Sequence, residues 1–143
     1  MRTAPIVVFD TSVLLAGLAS PKGGSAKLLT FCRKRRIHGV VTKPIIREAL
    51  THAERLHLKP DEVARNIKKC FRTILPAPDT SLTAGFEHTL SDPDDIHLLA
   101  SSKEAHADYL VTLDQRHLLK KASFIQEVAI VSPKQLIHML QKR

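Results

Sequence analysis

Residues 5–9, PIVVF, form a short apolar run rich in β-branched side chains that stops at an aspartate, Asp10. A run this short, with no polar alternation, marks a strand buried on both faces, the situation of a parallel sheet covered by helices. The rest of the chain repeats that theme. Residues 11–19 read as a helix, broken by Ser-Pro-Lys-Gly-Gly at 20–24, and a second helix is predicted over 25–36 with Leu28, Leu29 and Phe31 facing inward. A second strand follows at 37–42. Pro44 suits the first turn of a helix running through Glu48 to about Leu56, and another helix follows Pro60, where Asp61 and Glu62 favour an N-terminus. Pro76 and Pro78 make 74–80 extended or irregular. Beyond them, Asp92-Pro93 opens a helix to about Ala105, 109–113 is a third parallel strand, and 114–121 is a short helix. A last strand and helix occupy 128–131 and 133–141. This alternation predicts an α/β fold with a mainly parallel central sheet and helices on both faces.

The 143 residues suit one domain spanning 1–143, large enough to bury a core unaided. Twenty-two lysines and arginines against 14 acidic residues leave a net charge of +8, which suits a polyanionic partner such as nucleic acid. Cys32 and Cys70 lack any CxxC or Cys/His spacing, so neither a zinc site nor a disulfide framework is indicated. The apolar part of the start is too short for a signal peptide, and no apolar run approaches the roughly 18 residues that span a bilayer. A cytoplasmic protein without membrane attachment is expected.

Four acids recur at comparable places: Asp10 ends the first strand, Asp114 follows the third, and Glu48 and Asp95 lie near helix starts. Each has a plain structural explanation. Asp10 and Asp114 can cap the helices that follow them. In SDPDD, Asp92 at the N-cap and Pro93 at the first helical position place Asp95 third, close to a capping box. Glu48 can be a solvated helix residue. The arrangement points further, because open parallel sheets bind ligands beyond the carboxyl ends of their strands. Carboxylates gathered there repel one another unless cations intervene, and oxygen donors suit Mg2+ or Mn2+. The eight histidines show no HExxH or comparable spacing; His97 and His117 read as packing or solvent residues despite their nearness to Asp95 and Asp114. KGGSAKLL lacks the spacing of a phosphate-binding loop.

On these residues the chain resembles the PIN-domain family, in particular the VapC-like toxin ribonucleases. VVFDTSVLLAGL resembles the family's opening strand with its first aspartate, PIIREAL the segment carrying its conserved acid, and DPDDIHLLASS followed by ADYLVTLDQRHLL its two later acidic positions. The resemblance implies a three-layer α/β/α PIN-like fold and metal-dependent hydrolysis of RNA phosphodiester bonds. It places catalytic and metal-site roles on Asp10, Glu48, Asp95 and Asp114, with Asp92 in support and Ser12 as the small polar residue after the first acid. One or two Mg2+ or Mn2+ ions are implied. Asp95 is preferred to Asp94 because it shares a helix face with Asp92 and Leu98. Leu113 departs from the family by replacing a glycine. Lys43, Arg47 and Arg116 are candidate phosphate contacts, and the Arg33–Arg36 cluster a weaker one. A small antitoxin partner and a homodimer are likewise implied by resemblance.

Two other classes compete. An aspartate-nucleophile phosphatase of the haloacid-dehalogenase type would need its second aspartate where Ser12 stands. A catalytically inactive PIN-fold module that binds RNA or a partner is the stronger alternative, and the presence of all four acids argues against it.

Overall fold

The computed structural model describes residues 3–87 and 90–142. Five strands, β1 (Ile6–Phe9), β2 (His38–Thr42), β3 (Thr73–Leu75), β4 (Tyr109–Val111) and β5 (Ala129–Val131), form one sheet in the order β3-β2-β1-β4-β5, with every pairing parallel. The helices are α1 (Thr11–Ala19), α2 (Gly24–Arg33), α3 (Lys43–His52), α4 (Pro60–Cys70), α5 (Thr80–Ala84), α6 (Pro93–Glu104) and α7 (Pro133–Gln141). They cover the sheet in a three-layer α/β/α arrangement: α1 packs on α2 and α3, α2 on α4 and α7, while α6 lies against β1, β4 and α5.

Strand burial follows position. In central β1, Val7, Val8 and Phe9 are fully buried, and Val40, Val41, Leu110 and Val111 continue the core on either side. Edge strand β3 leaves Ile74 exposed. The chain builds outward from β1 to β2 and β3, then returns to place β4 on β1's other side. The reversal makes the carboxyl ends of β1 and β4 a topological switch point, the place where such sheets form a crevice.

Caps set the helix starts near that crevice. Ile45 N–H donates to Thr42 Oγ1 at 3.3 Å at the head of α3, and Asp94 N–H donates to Asp92 Oδ1 at 2.9 Å at the head of α6. Ser132 and Gln135 close a capping box on α7.

Several expectations require correction. Helix α2 ends at Arg33 instead of Arg36, because Arg35 turns into the left-handed region (φ 60°) and the Arg36 N–H closes onto Phe31 C=O at 2.9 Å. The basic cluster is thus mostly a turn, with the Arg36 guanidinium over the Phe31 ring. The 74–80 stretch contains the end of an edge strand before α5, since its prolines lie beyond the paired residues. The expected helix over 114–121 is a run of turns, followed by a 3-10 turn at Ala122–Phe124. Cys32 and Cys70 are buried free thiols. Among the described residues, no helix is long and apolar enough to cross a membrane.

Candidate active site

Asp10 occupies the N-cap position of α1 with extended backbone (φ −72°, ψ 154°), yet its side chain makes no capping hydrogen bond. Its Oδ2 instead accepts from Ser12 Oγ at 3.0 Å and from Thr112 Oγ1 at 2.7 Å. Those hydroxyls are themselves placed by the β4 end: Ser12 Oγ accepts from Leu113 N–H at 3.2 Å, and Thr112 Oγ1 from Asp114 N–H at 3.0 Å. The Asp10 N–H completes the join by donating to Val111 C=O at 3.1 Å. Leu113 takes this path without a left-handed backbone, so the departure from glycine imposes no left-handed strain on the loop. Burial raises the Asp10 pKa; the bonds from Thr112 and Ser12 pull against it, and the negative charge of Asp114 adds to the rise.

Asp95, on the first turn of α6, is only 7% exposed, and its Oδ2 is buried without a hydrogen-bond partner. Asp92 caps this terminus, with Pro93 first and Asp95 third as the sequence suggests, but the return bond from Asp95 that would complete a capping box is not formed among the described residues. Burial, and then the charges of Asp92, Asp114 and Asp10, push its pKa up to about 6, while His117 acts in the opposite direction. A buried carboxylate with an unused oxygen among like charges is costly.

Asp114 does accept a capping-type bond, from His117 N–H to Oδ1 at 3.2 Å, and His117 Nδ1 approaches Asp114 Oδ2 at 3.3 Å. One donor atom from each of Asp95, Asp114 and His117 lies within 4.8 Å of the other two. Asp10, Asp95 and Asp114 therefore share one electrostatic neighbourhood, with Asp92 beside it.

Glu48 lies on the other flank. It is exposed on α3 and accepts from Thr11 Oγ1 at 3.2 Å, and its charge is not among those acting on Asp10 or Asp95. A cavity of about 40 Å³ separates the flanks, lined in part by Asp10, Thr11, Glu48, Asp94, His97 and Ser101. The buried Ser101 Oγ has no partner, and the cavity can hold a water to satisfy it. Lys43, Arg47 and Arg116 are exposed. Thr112, Thr11 and His117 were not singled out by sequence reasoning as functional. The signal for Thr112 is a hydroxyl two residues before Asp114; for His117 it is a ring three residues after it.

The family model described as PIN domain matches residues 6–116, which contain all four candidate acids. The solved structure of FitAB bound to an IR36 DNA fragment is similar to this chain, with a TM-score of 0.64 and 16% identity over 89% of this chain and 94% of that one. VapBC2 from Rickettsia felis, bound to a DNA fragment from its promoter, gives a TM-score of 0.63 and 11% identity over 89% of this chain and 98% of that one. No curated protein matches the chain.

Proposed function

The chain belongs to the PIN-domain family, and on that footing we propose that it is a single-domain, divalent-metal-dependent endoribonuclease, the toxin component of a toxin–antitoxin pair. The observation that carries this reading is Asp95: a buried carboxylate with an unpartnered oxygen, facing Asp114 and Asp10 at the switch point of a parallel sheet. That donor set fits a hard cation, which would satisfy the orphaned oxygen and relieve the repulsion together. Asp95 and Asp114 would hold it, with Asp10 alongside, and the cation, Mg2+ or Mn2+, would supply Lewis-acid activation at a phosphodiester.

The chain's own residues do the positioning. Ser12 and Thr112 hold Asp10 Oδ2 from two sides, so that carboxylate is oriented before any ligand arrives. Glu48, which accepts from Thr11 Oγ1 and lines the small cavity with it, would take a proton from a water there. Lys43, Arg47 and Arg116 contact RNA phosphates at the rim, in keeping with the net charge of +8. Similarity to the solved FitAB and VapBC2 structures supports a small antitoxin as partner, and the homodimer rests on resemblance to VapC-like toxins alone.

The test is cleavage of RNA by purified protein with Mg2+ or Mn2+, beside Asp10→Asn and a chelated control. Metal-dependent cleavage lost in Asp10→Asn is the expected result. RNA binding without cleavage by folded wild type would instead favour the non-cleaving module. Light scattering that finds only monomer over a wide concentration range would remove the homodimer.

A further inference from the structure

His117 stands on the turn after β4, with 59% of its side chain exposed, so its ring contributes little to packing. The ring nonetheless sits against the acids, its Nδ1 3.3 Å from Asp114 Oδ2. The backbone is fixed as well, since Asp114 Oδ1 takes the His117 N–H. A ring nitrogen and one oxygen each of Asp95 and Asp114 all fall within 4.8 Å of one another. Asp95 supplies an independent sign that something binds there: it is 7% exposed, and its Oδ2 has no partner.

We infer, building on the metal-dependent reading above, that His117 donates a ring nitrogen to the cation held by Asp95 and Asp114, and that this donor makes the site prefer a first-row transition ion such as Mn2+ to Mg2+. Three donors on one ion at about 2.0–2.2 Å, none of them trans, stand about 3–3.8 Å from one another. From a spread of up to 4.8 Å the groups must close by as much as about 1 Å, much of which the exposed ring can supply by turning. Chemistry sets the preference: Mg2+ takes oxygen donors and retains its waters, whereas imidazole nitrogen suits the transition ions better. The competing account makes His117 a surface counter-charge to Asp114 and nothing more. It predicts no nitrogen on a bound ion and equal effects on both metals.

The two accounts separate in a binding experiment on the metal-free protein. Mn2+ is titrated by electron paramagnetic resonance into wild type, His117→Ala, His97→Ala and Asp95→Asn, with Mg2+ affinity taken from competition. Nitrogen hyperfine coupling is then read on the bound Mn2+. Wild type and His97→Ala should show the coupling. His117→Ala should lose it and bind Mn2+ about tenfold more weakly, with Mg2+ affinity changed less than about twofold. Bound Mn2+ that depends on Asp95 but carries no nitrogen coupling in wild type would overturn the His117 assignment alone, as would equal loss of both metals. Absence of Mn2+ binding, or binding that survives Asp95→Asn, would remove the cation site and the assignment with it.

Discussion

At the amino ends of the strands, Asp108 accepts the Ile6 N–H on Oδ2 at 2.8 Å, while its own N–H and C=O bond to Ile6 and to Ala129. At the carboxyl ends, Asp95 is buried with Oδ2 bonded to nothing. Both aspartates lie beside the same sheet, and both are spent differently. Asp108 ties β1, β4 and β5 together. The surroundings differ as well: Arg35, His38 and Arg72 line a pocket of about 200 Å³ at the amino end, and among the described residues no acid lines it. The carboxyl end instead concentrates Asp10, Asp92, Asp95 and Asp114. A carboxylate whose oxygen is used by the backbone is explained by the fold. One left unpaired at a cost points to a ligand outside the chain.

The largest separation should appear in cleavage. Asp114→Asn retains much of the shape of the carboxylate and its acceptor for the His117 N–H, so it should fold, yet RNA cleavage should fall by at least about a hundredfold. RNA affinity without metal should hold or rise slightly, because one negative charge is gone. Asp108→Asn should cleave within about twofold of wild type. Single-turnover assays on both variants check the contrast, and it breaks if the two lose activity alike.

Metal should then distinguish the ends thermally. Saturation at about a hundred times Kd adds about 2.7 kcal/mol, or several degrees in Tm for a protein of this size. Wild type and Asp108→Asn should both gain it. An equal gain in Asp10→Asn/Asp95→Asn would show the ion sitting elsewhere.

Without metal, the sign reverses at Asp95. Its folded pKa of about 6 exceeds an unfolded value of about 3.9, so between them the folded protein holds more proton and stability falls as pH rises. The penalty is fully present above about pH 6 and absent below about pH 4. Asp95→Asn should therefore be more stable than metal-free wild type at pH 7, by on the order of 2 kcal/mol, and the gap should close toward pH 4. Urea unfolding at both pH values measures it. A destabilised Asp95→Asn at pH 7 would contradict an uncompensated charge.

Much of this was legible in the sequence, and the losses have physical causes. PIVVF and its aspartate declared a buried parallel strand, and Pro44 and Asp92-Pro93 declared two helix starts, because both signals are local. Edge strand β3 was missed as a strand because three residues with an exposed Ile74 carry almost no pattern. At 114–121, helix-forming residues end up in turns between β4 and β5, where the connection overrides propensity. The four acids were named from the sequence and expected in one crevice, but the way packing divides them was not legible. That Glu48 stands across a cavity while His117 joins Asp95 and Asp114 depends on packing between segments far apart in the chain.

The smallest effect belongs to Asp108 itself and tests the other half of the contrast. Asp108→Ala removes the acceptor for Ile6 N–H, a partly solvated bond that water can replace, so the loss should be only about 0.5–1 kcal/mol. Asp108→Asn keeps an oxygen in the same place and should lose less. Neither substitution alters the acids at the far end, so neither should change Mn2+ affinity or the pH dependence that Asp95 imparts. Amide hydrogen exchange localises the effect: Ile6 should exchange faster in Asp108→Ala, whereas the Asp10 N–H, bonded to Val111 C=O at the other end of β1, should not. If Asp108→Ala weakened metal binding, the two ends would be coupled through β1, and Asp108 could no longer serve as the purely structural member of the pair.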